Sequence, residues 1–355
     1  MNILIVRLSA IGDVIHTLAA VAPLRRHFPG CTITWVAEET AAELIKGYPG
    51  IDRLIVSRRK QWLKDLKKLR WTHAAVETGQ FLGQLRQDSY DLILDFQGLF
   101  KSGILVFFAR GRRKLGYANA REASTLFYTE KAPAPDFNEH AIKRHMALIH
   151  FLGVGESSPD FAPLYSRSDE TSIEKLFDSE HIDRHKPVVA FHPSAMWKTK
   201  QWPRERVAGL CDMLQEQCNC QVLFVGGAEE KKYLGQICAL VRGKAVNLAG
   251  RTSLKELACL ISKAALLLSM DSGPMHISCA VGTPAVGLFG PTATWRTGPF
   301  GENDRIIRKQ LSCSPCFKKA KCPEGHHRCM QNITVEEVFK ICCNYLENRE
   351  YPAKA

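Results

Sequence analysis

The sequence alternates short apolar runs with longer stretches of helical periodicity, and this alternation occurs twice along the chain. Parallel strands need long crossover connections, usually helices, so such alternation predicts parallel sheets covered by helices on both faces. The sequence therefore predicts an α/β fold with two doubly wound, Rossmann-like domains. The strand-like runs are residues 2–8, 32–38, 53–56 and 91–96, then residues 188–191, 222–225, 245–248, 265–269 and 285–289.

A polar stretch with Gly, Ser and Pro separates the two halves and predicts a linker at about residues 155–187. The chain has 355 residues, more than one hydrophobic core usually serves. We therefore predict an N-terminal domain over residues 1–170 and a C-terminal domain over residues 187–330. A last amphipathic helix is predicted over residues 333–347.

Composition excludes several classes of protein. Hydrophobic residues make up 45% and charged residues 24%, a balance that excludes disordered tails, collagen-like fibres and small disulfide scaffolds. No apolar run approaches the ~20 residues of a membrane span, and Arg7 follows the first short apolar run, so we expect a cytoplasmic protein without a signal peptide. The net charge of +12 predicts an anionic partner, such as nucleic acid, an acidic membrane surface or a phosphorylated substrate.

The first strand runs into the first helix through residues 7–13, Arg-Leu-Ser-Ala-Ile-Gly-Asp. Gly12 permits a tight turn, and Asp13 lies at or near the N-cap of the helix. The helix dipole would keep the Asp13 carboxylate ionised, as a general base requires, although a simple helix cap is the alternative. The segment lacks Gly-x-Gly-x-x-Gly, which disfavours a nicotinamide-dinucleotide site.

A second strand end, residues 95–102, has the sequence Asp-Phe-Gln-Gly-Leu-Phe-Lys-Ser. Lys101 falls in the first turn of the following helix, where the helix dipole disfavours a cation. This placement indicates that Lys101 faces an anion.

The second half has a polar segment at residues 192–203, between a strand end and a helix that begins after Pro203. Lys198 and Lys200 can reach back over the strand end, where Ser194 offers a hydroxyl and a backbone amide. The segment is thus either a phosphate-binding loop or a polar loop in which Trp202 packs against the core.

Residues 269–276, Ser-Met-Asp-Ser-Gly-Pro-Met-His, lead into another helix. Gly273 lacks the Cβ atom that would keep a phosphate from the backbone amides, and Pro274 suits the first helical turn. Free amides at a helix N-terminus bind diphosphate well, so we interpret this segment as a diphosphate site rather than a simple cap.

In their order along the chain, these segments resemble the bacterial lipopolysaccharide heptosyltransferases of glycosyltransferase family 9. The resemblance extends from residue 1 to about residue 346. It includes residues 5–13, 16–18, 35–39, 95–102, 120–122, 126–128, 140, 192–203, 269–276 and 289–292.

The resemblance implies a GT-B fold: two Rossmann-like domains facing a central cleft, with the last helix crossing back to the N-terminal domain. It implies transfer of L-glycero-D-manno-heptose from ADP-heptose to the Kdo/heptose inner core of lipopolysaccharide, with inversion and without a required cofactor. The expected partners are the ADP-sugar donor, a phosphorylated lipid A–Kdo type acceptor and the inner face of the inner membrane, where the enzyme would be peripheral. Nucleic acid is not an expected partner.

The resemblance also implies roles for individual residues, with Asp13 as the general base on the acceptor hydroxyl. The expected donor-binding residues are Ser194, Lys200, Glu229, Glu230, Asp271, Ser272, Gly273, Pro274 and His276. The expected acceptor-binding residues are Arg7, Ser9, Gly12, Arg58, Arg59, Lys60, Lys64, Gln97, Lys101 and Arg121.

Four of the 13 cysteines form the pattern Cys313-x₂-Cys316-x₅-Cys322-x₆-Cys329. Four thiols could hold a structural Zn²⁺ tetrahedrally, although the spacing has one close pair where a zinc ribbon has two. Reduced structural thiols are the alternative, and a catalytic zinc is disfavoured.

Two other functions stay open at this stage. A GT-B sugar-nucleotide epimerase would share the architecture but act on a UDP-sugar without an acceptor. A basic nucleic-acid-binding protein is a third hypothesis, but the sequence has no recognisable reading helix or aromatic RNA-binding strand.

Overall fold

The computed structural model describes residues 1–155 and 159–347, and the chain divides into two compact units after Pro163. The division lies within the predicted linker, at an earlier position than the predicted end of the first domain. Residues 164–170 therefore belong to the second unit.

The described residues of the first unit form one parallel sheet with the strand order β3-β2-β1-β4-β5-β6. Ile5 of β1 lies opposite Trp35 of β2 on one side and Leu94 of β4 on the other. The strand order reverses between β1 and β4, and ligands of such sheets bind at this point, outside the carboxyl ends of the strands. The strands are β1 (Asn2–Val6), β2 (Thr32–Glu38), β3 (Arg53–Ser57), β4 (Tyr90–Asp95), β5 (Gly111–Tyr117) and β6 (Glu130–Ala132).

Helices connect these strands and bury them, so that Ile3, Leu4, Ile5 and Val6 of β1 are fully inaccessible to solvent. Such continuous apolar runs are typical of parallel strands that are covered on both faces. The helices are α1 (Ile11–Leu18), α2 (Val21–His27), α3 (Glu39–Ile45), α4 (Arg59–Lys67), α5 (Trp71–Arg86), α6 (Phe100–Phe108) and α7 (Ala141–His150).

The second unit repeats this architecture, with the strand order β12-β11-β10-β7-β8-β9. Ser269 of β10 lies opposite His192 of β7, so the carboxyl ends of these two strands are adjacent. The reversal of strand order falls between them, which again marks the ligand-binding edge. The strands are β7 (Val188–His192), β8 (Gln221–Phe224), β9 (Ala245–Asn247), β10 (Leu266–Met270), β11 (Ala285–Phe289) and β12 (Arg305–Arg308).

The helices of the second unit include a last helix, α15, that packs on α9 and β10 of its own unit. Val338 and Cys342 of α15 are buried in the same core as Phe191 and Phe224. The helices are α8 (Arg167–Ser179), α9 (Arg204–Cys218), α10 (Lys231–Cys238), α11 (Leu254–Lys263), α12 (Gly273–Val281), α13 (Thr294–Thr297), α14 (Arg328–Gln331) and α15 (Val335–Glu347).

Helix α8 lies inside the stretch that the sequence predicted as a linker. Ile173 and Phe177 bury its apolar face, and the helix packs on α11. Ser166 and Asp169 form a reciprocal capping box at its start, which is a helix signal that the overall polarity of this stretch obscured.

Within the described residues, no helix combines the length and the apolar character that a bilayer span requires.

The packing of the second core can be tested at Leu268, a fully buried residue at the centre of β10. Leu268→Ala should lower the free energy of unfolding by about 2–5 kcal/mol, since it removes buried methyl groups and leaves a cavity. Denaturant unfolding measures this change. Leu240→Ala, the same substitution at an exposed position, should stay within about 0.5 kcal/mol of the wild type, and an equal loss at both positions would contradict the assignment.

Candidate active site

Asp13 lies in the first turn of α1, directly beyond the carboxyl end of β1. Its Oδ2 atom accepts a hydrogen bond from the backbone amide of Ala10 at 3.3 Å and forms an ion pair with Arg7 at 2.6 Å. The Asp13 side chain is 38% exposed, whereas the Arg7 side chain is 7% exposed. Gly12 is buried beside it in the helix. Asp13 therefore caps the helix and also presents a carboxylate to solvent.

Arg7 is held in place from two sides. Its guanidinium donates to the carbonyl of Phe96, at the end of β4, as well as to Asp13. Its own carbonyl accepts from Nε1 of Trp35 at 3.0 Å. Arg7 is thus a buried counter-ion that orients Asp13, and its predicted contact with the acceptor stays a prediction.

The two predicted strand-end segments of the first half lie against each other. Oε1 of Gln97 accepts from the amides of Leu8 and Ser9 at 3.1 and 3.3 Å. Nζ of Lys101 donates to Oγ of Ser9 at 3.0 Å. Residues predicted from separate motifs therefore form one polar surface around the loop that precedes Asp13.

Asp95 organises the second of these segments from beneath. Its buried carboxylate accepts hydrogen bonds from the amides of Gln97 and Gly98 at 2.9 and 3.1 Å. The hydroxyls of Ser102 and Tyr128 donate to it at 2.8 Å each. Burial raises the pKa of Asp95, and these four hydrogen bonds partly offset that rise. Gly98 has φ +62°, a conformation that favours glycine.

A buried carboxylate that the prediction did not include, Glu38, gathers three of the predicted acceptor residues. Lys60, Lys101 and Arg59 contact its oxygens at 3.3, 3.3 and 3.5 Å. Burial would raise the pKa of Glu38, but Lys101 and Lys60 outweigh it and hold that pKa below its usual range. Three cations around one carboxylate leave an excess of positive charge at the end of β2, which suits an anionic ligand.

The remaining predicted acceptor residues lie on the surface of the same unit. Arg58 is exposed and forms an ion pair with Glu39 at 3.3 Å. Lys64 is exposed on α4. Arg121 is exposed, and its amide donates to the carbonyl of Gly98 at 2.9 Å, which places it beside the loop that follows β4.

In the second unit, His192 joins two of the predicted donor residues. Its Nδ1 atom contacts Oγ of Ser272 at 2.9 Å, and its Nε2 atom contacts Oε2 of Glu230 at 3.2 Å. Burial would raise the pKa of Glu230, but hydrogen bonds and charge from His192, Ser194 and the Gly227 amide lower it to about 2. Glu230 is therefore ionised near neutral pH. His192 is a central member of this cluster that the sequence prediction left out of the site.

Lys200 and Asp271 form a mostly buried ion pair at the same edge. Their charged atoms lie 2.6 Å apart, and Oγ1 of Thr292 donates to the Asp271 carboxylate at 2.7 Å. Nζ of Lys200 also lies 4.4 Å from the centre of the Trp197 ring, a cation–π distance. The pair sets a fixed cation beside the start of α12.

The N-terminus of α12 begins at Gly273, with Pro274 in its first turn. Ser272 occupies the N-cap position, but its hydroxyl bonds to Oγ of Ser269 and to the Met270 carbonyl rather than to the amides of the helix. The first amides of α12 are therefore left for another acceptor, and a phosphate is the acceptor such termini bind. Of the other predicted donor residues, His276 is buried in α12 and Glu229 is exposed.

The cysteine-rich loop packs against the loop that carries Lys200. Oγ1 of Thr199 donates to the carbonyl of Lys318 at 2.5 Å, and the Thr199 carbonyl lies 2.6 Å from Nε2 of His327. All four cysteines of this loop are free thiols; burial and then the nearby Cys322, Cys316 and Cys313 raise the pKa of Cys329. Among residues 1–155 and 159–347, no group of three or more His, Cys, Asp or Glu side chains is arranged to hold a metal ion. The geometry therefore gives the zinc hypothesis no support.

The sequence is similar to those of known glycosyltransferases. The family model described as glycosyltransferase family 9 (heptosyltransferase) matches residues 79–327. The lipopolysaccharide core heptosyltransferase OpsX of Haemophilus influenzae is 30% identical over 310 residues, 86% of this chain and 84% of that protein. Lipopolysaccharide heptosyltransferase 1 of Pseudomonas aeruginosa is 30% identical over 323 residues, 90% of this chain and 87% of that protein.

Solved structures confirm the predicted fold class, an α/β fold of the GT-B type with two doubly wound domains. A family 9 glycosyltransferase from Veillonella parvula superposes with a TM-score of 0.81 at 22% identity, covering 98% of each chain. The E. coli heptosyltransferase WaaC with ADP gives a TM-score of 0.78 at 24% identity, covering 97% of this chain and 100% of that one.

The depressed pKa of Glu230 makes a prediction about stability and pH. A carboxylate whose pKa is lower in the folded chain stabilises the fold above its unfolded pKa of 4.5, and this stabilisation disappears as the pH falls towards about 2. Glu230→Gln should therefore unfold more easily than the wild type at neutral pH, by roughly 2 kcal/mol. Denaturant titrations at pH 7, 4 and 3 should show this difference shrinking.

The neighbouring exposed residue provides the control. Glu229→Gln should unfold like the wild type at neutral pH. A Glu230→Gln difference that stays constant between pH 7 and pH 3 would contradict the ionic role of Glu230.

Proposed function

Because this chain belongs to glycosyltransferase family 9, the heptosyltransferases, we propose that it transfers L-glycero-D-manno-heptose from ADP-heptose to the Kdo/heptose inner core of lipopolysaccharide. The chain is a glycosyltransferase by its family, and its relatives favour a transferase over an epimerase or a nucleic-acid-binding protein. The single observation that carries the choice of a diphosphate-linked donor is the Lys200 cation beside the uncapped N-terminus of α12.

We propose that the second unit binds the donor. Lys200 and the backbone amide of Gly273, at the start of α12, would donate to the diphosphate, and charge-assisted hydrogen bonds of this kind are the stronger ones. Pro274 has no N–H to donate, and its role in this proposal is to fix the first turn of the helix. Ser194 and Ser272 offer hydroxyls at the same edge of the sheet. Asp271 and His276 are the remaining donor-binding residues of this proposal at that edge. Glu229 and Glu230 follow β8, and in this proposal they accept hydrogen bonds from the ribose hydroxyls. An ionised carboxylate such as that of Glu230 is a good acceptor for such bonds.

We propose that the first unit binds the acceptor. The excess positive charge around Glu38 suits the acidic sugars and phosphates of an inner core. Arg59, Lys60 and Lys101 are its nearest cations, and Ser9 and Gln97 offer polar groups beside them. Gly12, Arg58, Lys64 and Arg121 are further acceptor residues in this proposal, whereas Arg7 acts on the acceptor through Asp13.

The proposed reaction is an inverting displacement. The Asp13 carboxylate removes the proton from the acceptor hydroxyl as its oxygen bonds to the anomeric carbon, and the bond from that carbon to the diphosphate breaks on the opposite face. The departing ADP gains negative charge, which Lys200 and the α12 amides stabilise. Arg7 keeps Asp13 oriented between turnovers.

We also propose that the enzyme works in the cytoplasm, as a peripheral protein at the inner face of the inner membrane, because its proposed acceptor is anchored in lipid. The displacement described above requires no cofactor, since protein groups carry the charge of the leaving nucleotide. A structural zinc on Cys313, Cys316, Cys322 and Cys329 is tested separately, by metal analysis of gently purified protein. Less than stoichiometric zinc rejects it.

Replacing the proposed base provides the main test of the mechanism. Asp13→Asn should lower kcat by about 10²–10⁴-fold, since general-base assistance is lost, while ADP binding stays unchanged. Steady-state transfer assays and calorimetry measure the two quantities. Asp160→Asn, at an exposed ion pair of the same unit, is the matched control and should behave like the wild type. Unchanged turnover in Asp13→Asn would refute the role of this carboxylate.

The donor site is tested at Lys200. Lys200→Met should raise the Kd for ADP about 10- to 100-fold, because a charged hydrogen bond to phosphate is lost. Calorimetric titration with ADP measures the effect, and circular dichroism checks the fold. Lys198 lies two residues earlier and is exposed, so Lys198→Met should change the Kd for ADP by less than about threefold, as expected for the loss of a surface charge. An equal loss in both variants would indicate general attraction rather than a defined phosphate contact.

The acceptor is identified by product analysis. The enzyme is incubated with ADP-heptose and with either a Kdo-terminated or a heptose-terminated core, and the product is weighed by mass spectrometry. A mass gain of one heptose on one of the two acceptors identifies the transfer, and no gain on either would reject the proposed function.

A further inference from the structure

The turn between α4 and α5 exposes side chains that soluble proteins usually bury. Leu69 is 78% exposed, Trp71 is 64% exposed and Leu66 is 45% exposed. Leu63 on α4 is also exposed, at 46%, whereas Asp65 on the same helix is buried. The polarity of this helix end is therefore inverted, with leucines outside and a carboxylate inside. We call residues 63–71 the basic apolar turn.

The exposure belongs to an ordered structure, because the buried carboxylate ties the two helices together. Asp65 accepts from Nε2 of Gln61 at 3.1 Å and contacts Nδ1 of His73 at 3.2 Å. The amide of Arg70 donates to the Asp65 carbonyl at 2.9 Å. These bonds fix the path of the chain through the turn, so the apolar side chains are held outside.

Leu69 is the most exposed leucine of the turn, and its backbone has φ +58°. This left-handed conformation ends many helices and favours glycine, since a Cβ atom makes it unfavourable. A branched apolar side chain is thus held in solvent at a position where glycine would be easier. An exposed leucine does not make a protein more soluble, so solubility does not account for Leu69 at this position. A contact with an apolar partner accounts for both the leucine and its exposure.

Basic side chains alternate with the apolar ones along the turn. Lys67, Lys68 and Arg70 are all exposed, and they flank Leu69 on both sides. Lys64 adds a further exposed cation on α4. This mixture of side chains suits the interface of an anionic bilayer. Leucine and tryptophan side chains can enter the boundary of the acyl chains, while lysine and arginine side chains contact the lipid phosphates.

We propose that the basic apolar turn docks the enzyme on the surface of an anionic phospholipid bilayer. This inference rests on the proposed function, in which the acceptor is held in the membrane by its lipid. The opposite end of α4 carries Lys60, which contacts Glu38 in the proposed acceptor site. A nine-residue helix is about 13 Å long, so one helix links the membrane contact to the site that meets the core sugars.

Vesicle sedimentation with the full chain tests the surface. Vesicles of phosphatidylcholine alone are compared with an equimolar mixture of phosphatidylcholine and phosphatidylglycerol. The wild type should bind the anionic vesicles and lose binding as salt rises. Lys67→Glu/Lys68→Glu should weaken the partition coefficient about 25-fold or more, since each basic residue at an anionic surface strengthens it about fivefold.

Charge-matched and apolar controls come from the second unit. Lys232→Glu/Lys244→Glu makes the same change in net charge at exposed positions and should weaken binding less than about fivefold, the effect of one basic residue. Leu69→Glu should reduce binding strongly, whereas Leu240→Glu, at another exposed leucine, should not. If the control variants lose as much binding as the turn variants, net charge rather than this turn attracts the protein, and the proposal is wrong.

Trp71 supplies a direct signal of insertion. Anionic vesicles should shift the tryptophan emission to shorter wavelength, and brominated acyl chains should quench it. Trp71→Phe should remove this signal but keep most of the binding, because phenylalanine retains an apolar ring. A signal that persists in Trp71→Phe would place the contact elsewhere. Full inhibition by soluble glycerol phosphate would indicate a headgroup site instead of a surface contact, and would also overturn the proposal.

Transfer assays separate failure of the docking from failure of the proposed function. With a water-soluble, deacylated acceptor, Lys67→Glu/Lys68→Glu should keep the wild-type kcat/KM, since neither Lys67 nor Lys68 is among the proposed catalytic and binding residues. With an acylated acceptor embedded in anionic vesicles, the same variant should lose most of its rate. If the variant matches the wild-type rate with the embedded acceptor as well as with the soluble one, the docking surface is rejected. No transfer by the wild type to either acceptor would reject the function, and vesicle binding would still decide the surface.

Discussion

The buried carboxylate of Asp95 fixes the working edge of the first sheet. It accepts four hydrogen bonds, two from amides of the following loop and two from hydroxyls that come from α6 and from the segment after β5. This loop carries Gln97 and Lys101, which in turn hold the loop that leads to Asp13. A polar group this deeply buried is tolerated only when hydrogen bonds replace its lost hydration. The geometry around Asp13 thus depends on a group that lies beneath it.

The second sheet meets the same requirement with different residues. His192 ends β7 and bridges Ser272 to Glu230, so the carboxyl ends of three neighbouring strands are joined through one ring. Both sheets therefore pair buried carboxylates with cations or hydrogen-bond donors at the edge where parallel strands end. Parallel pairing brings these strand ends together, and the polar groups that follow them must satisfy one another wherever water is excluded.

The periodicity of the sequence predicted the architecture well, because apolar runs of parallel strands and helical spacing are local signals. The same argument located Asp13, Lys200 and Asp271 at strand ends. It missed β5, because that strand carries the basic residues 112–114 near its start and buries only its last three residues.

Other features of the site depend on contacts between distant residues and could not be derived from spacing. Glu38 gathers Lys101 from 63 positions away, and Arg7, an expected acceptor-binding residue, also pairs with Asp13. His192 likewise joins Glu230, which lies 38 positions further along the chain, to Ser272, which lies 80 positions further along. Motif spacing identifies which strand ends carry polar residues, but the pairing of those residues is decided by the tertiary fold.

In the proposed donor site, the ion pair between Lys200 and Asp271 bears on how readily a nucleotide would depart. A lysine that faced an empty pocket alone would hold any phosphate tightly and release it slowly. Here the Asp271 carboxylate, steadied by Thr292, competes for the same cation at all times. An incoming anion must displace that carboxylate, and the carboxylate returns when the anion leaves. If Lys200 binds the donor as proposed, this competition would lower its affinity for the nucleotide and speed product release, which often limits the turnover of well-evolved enzymes.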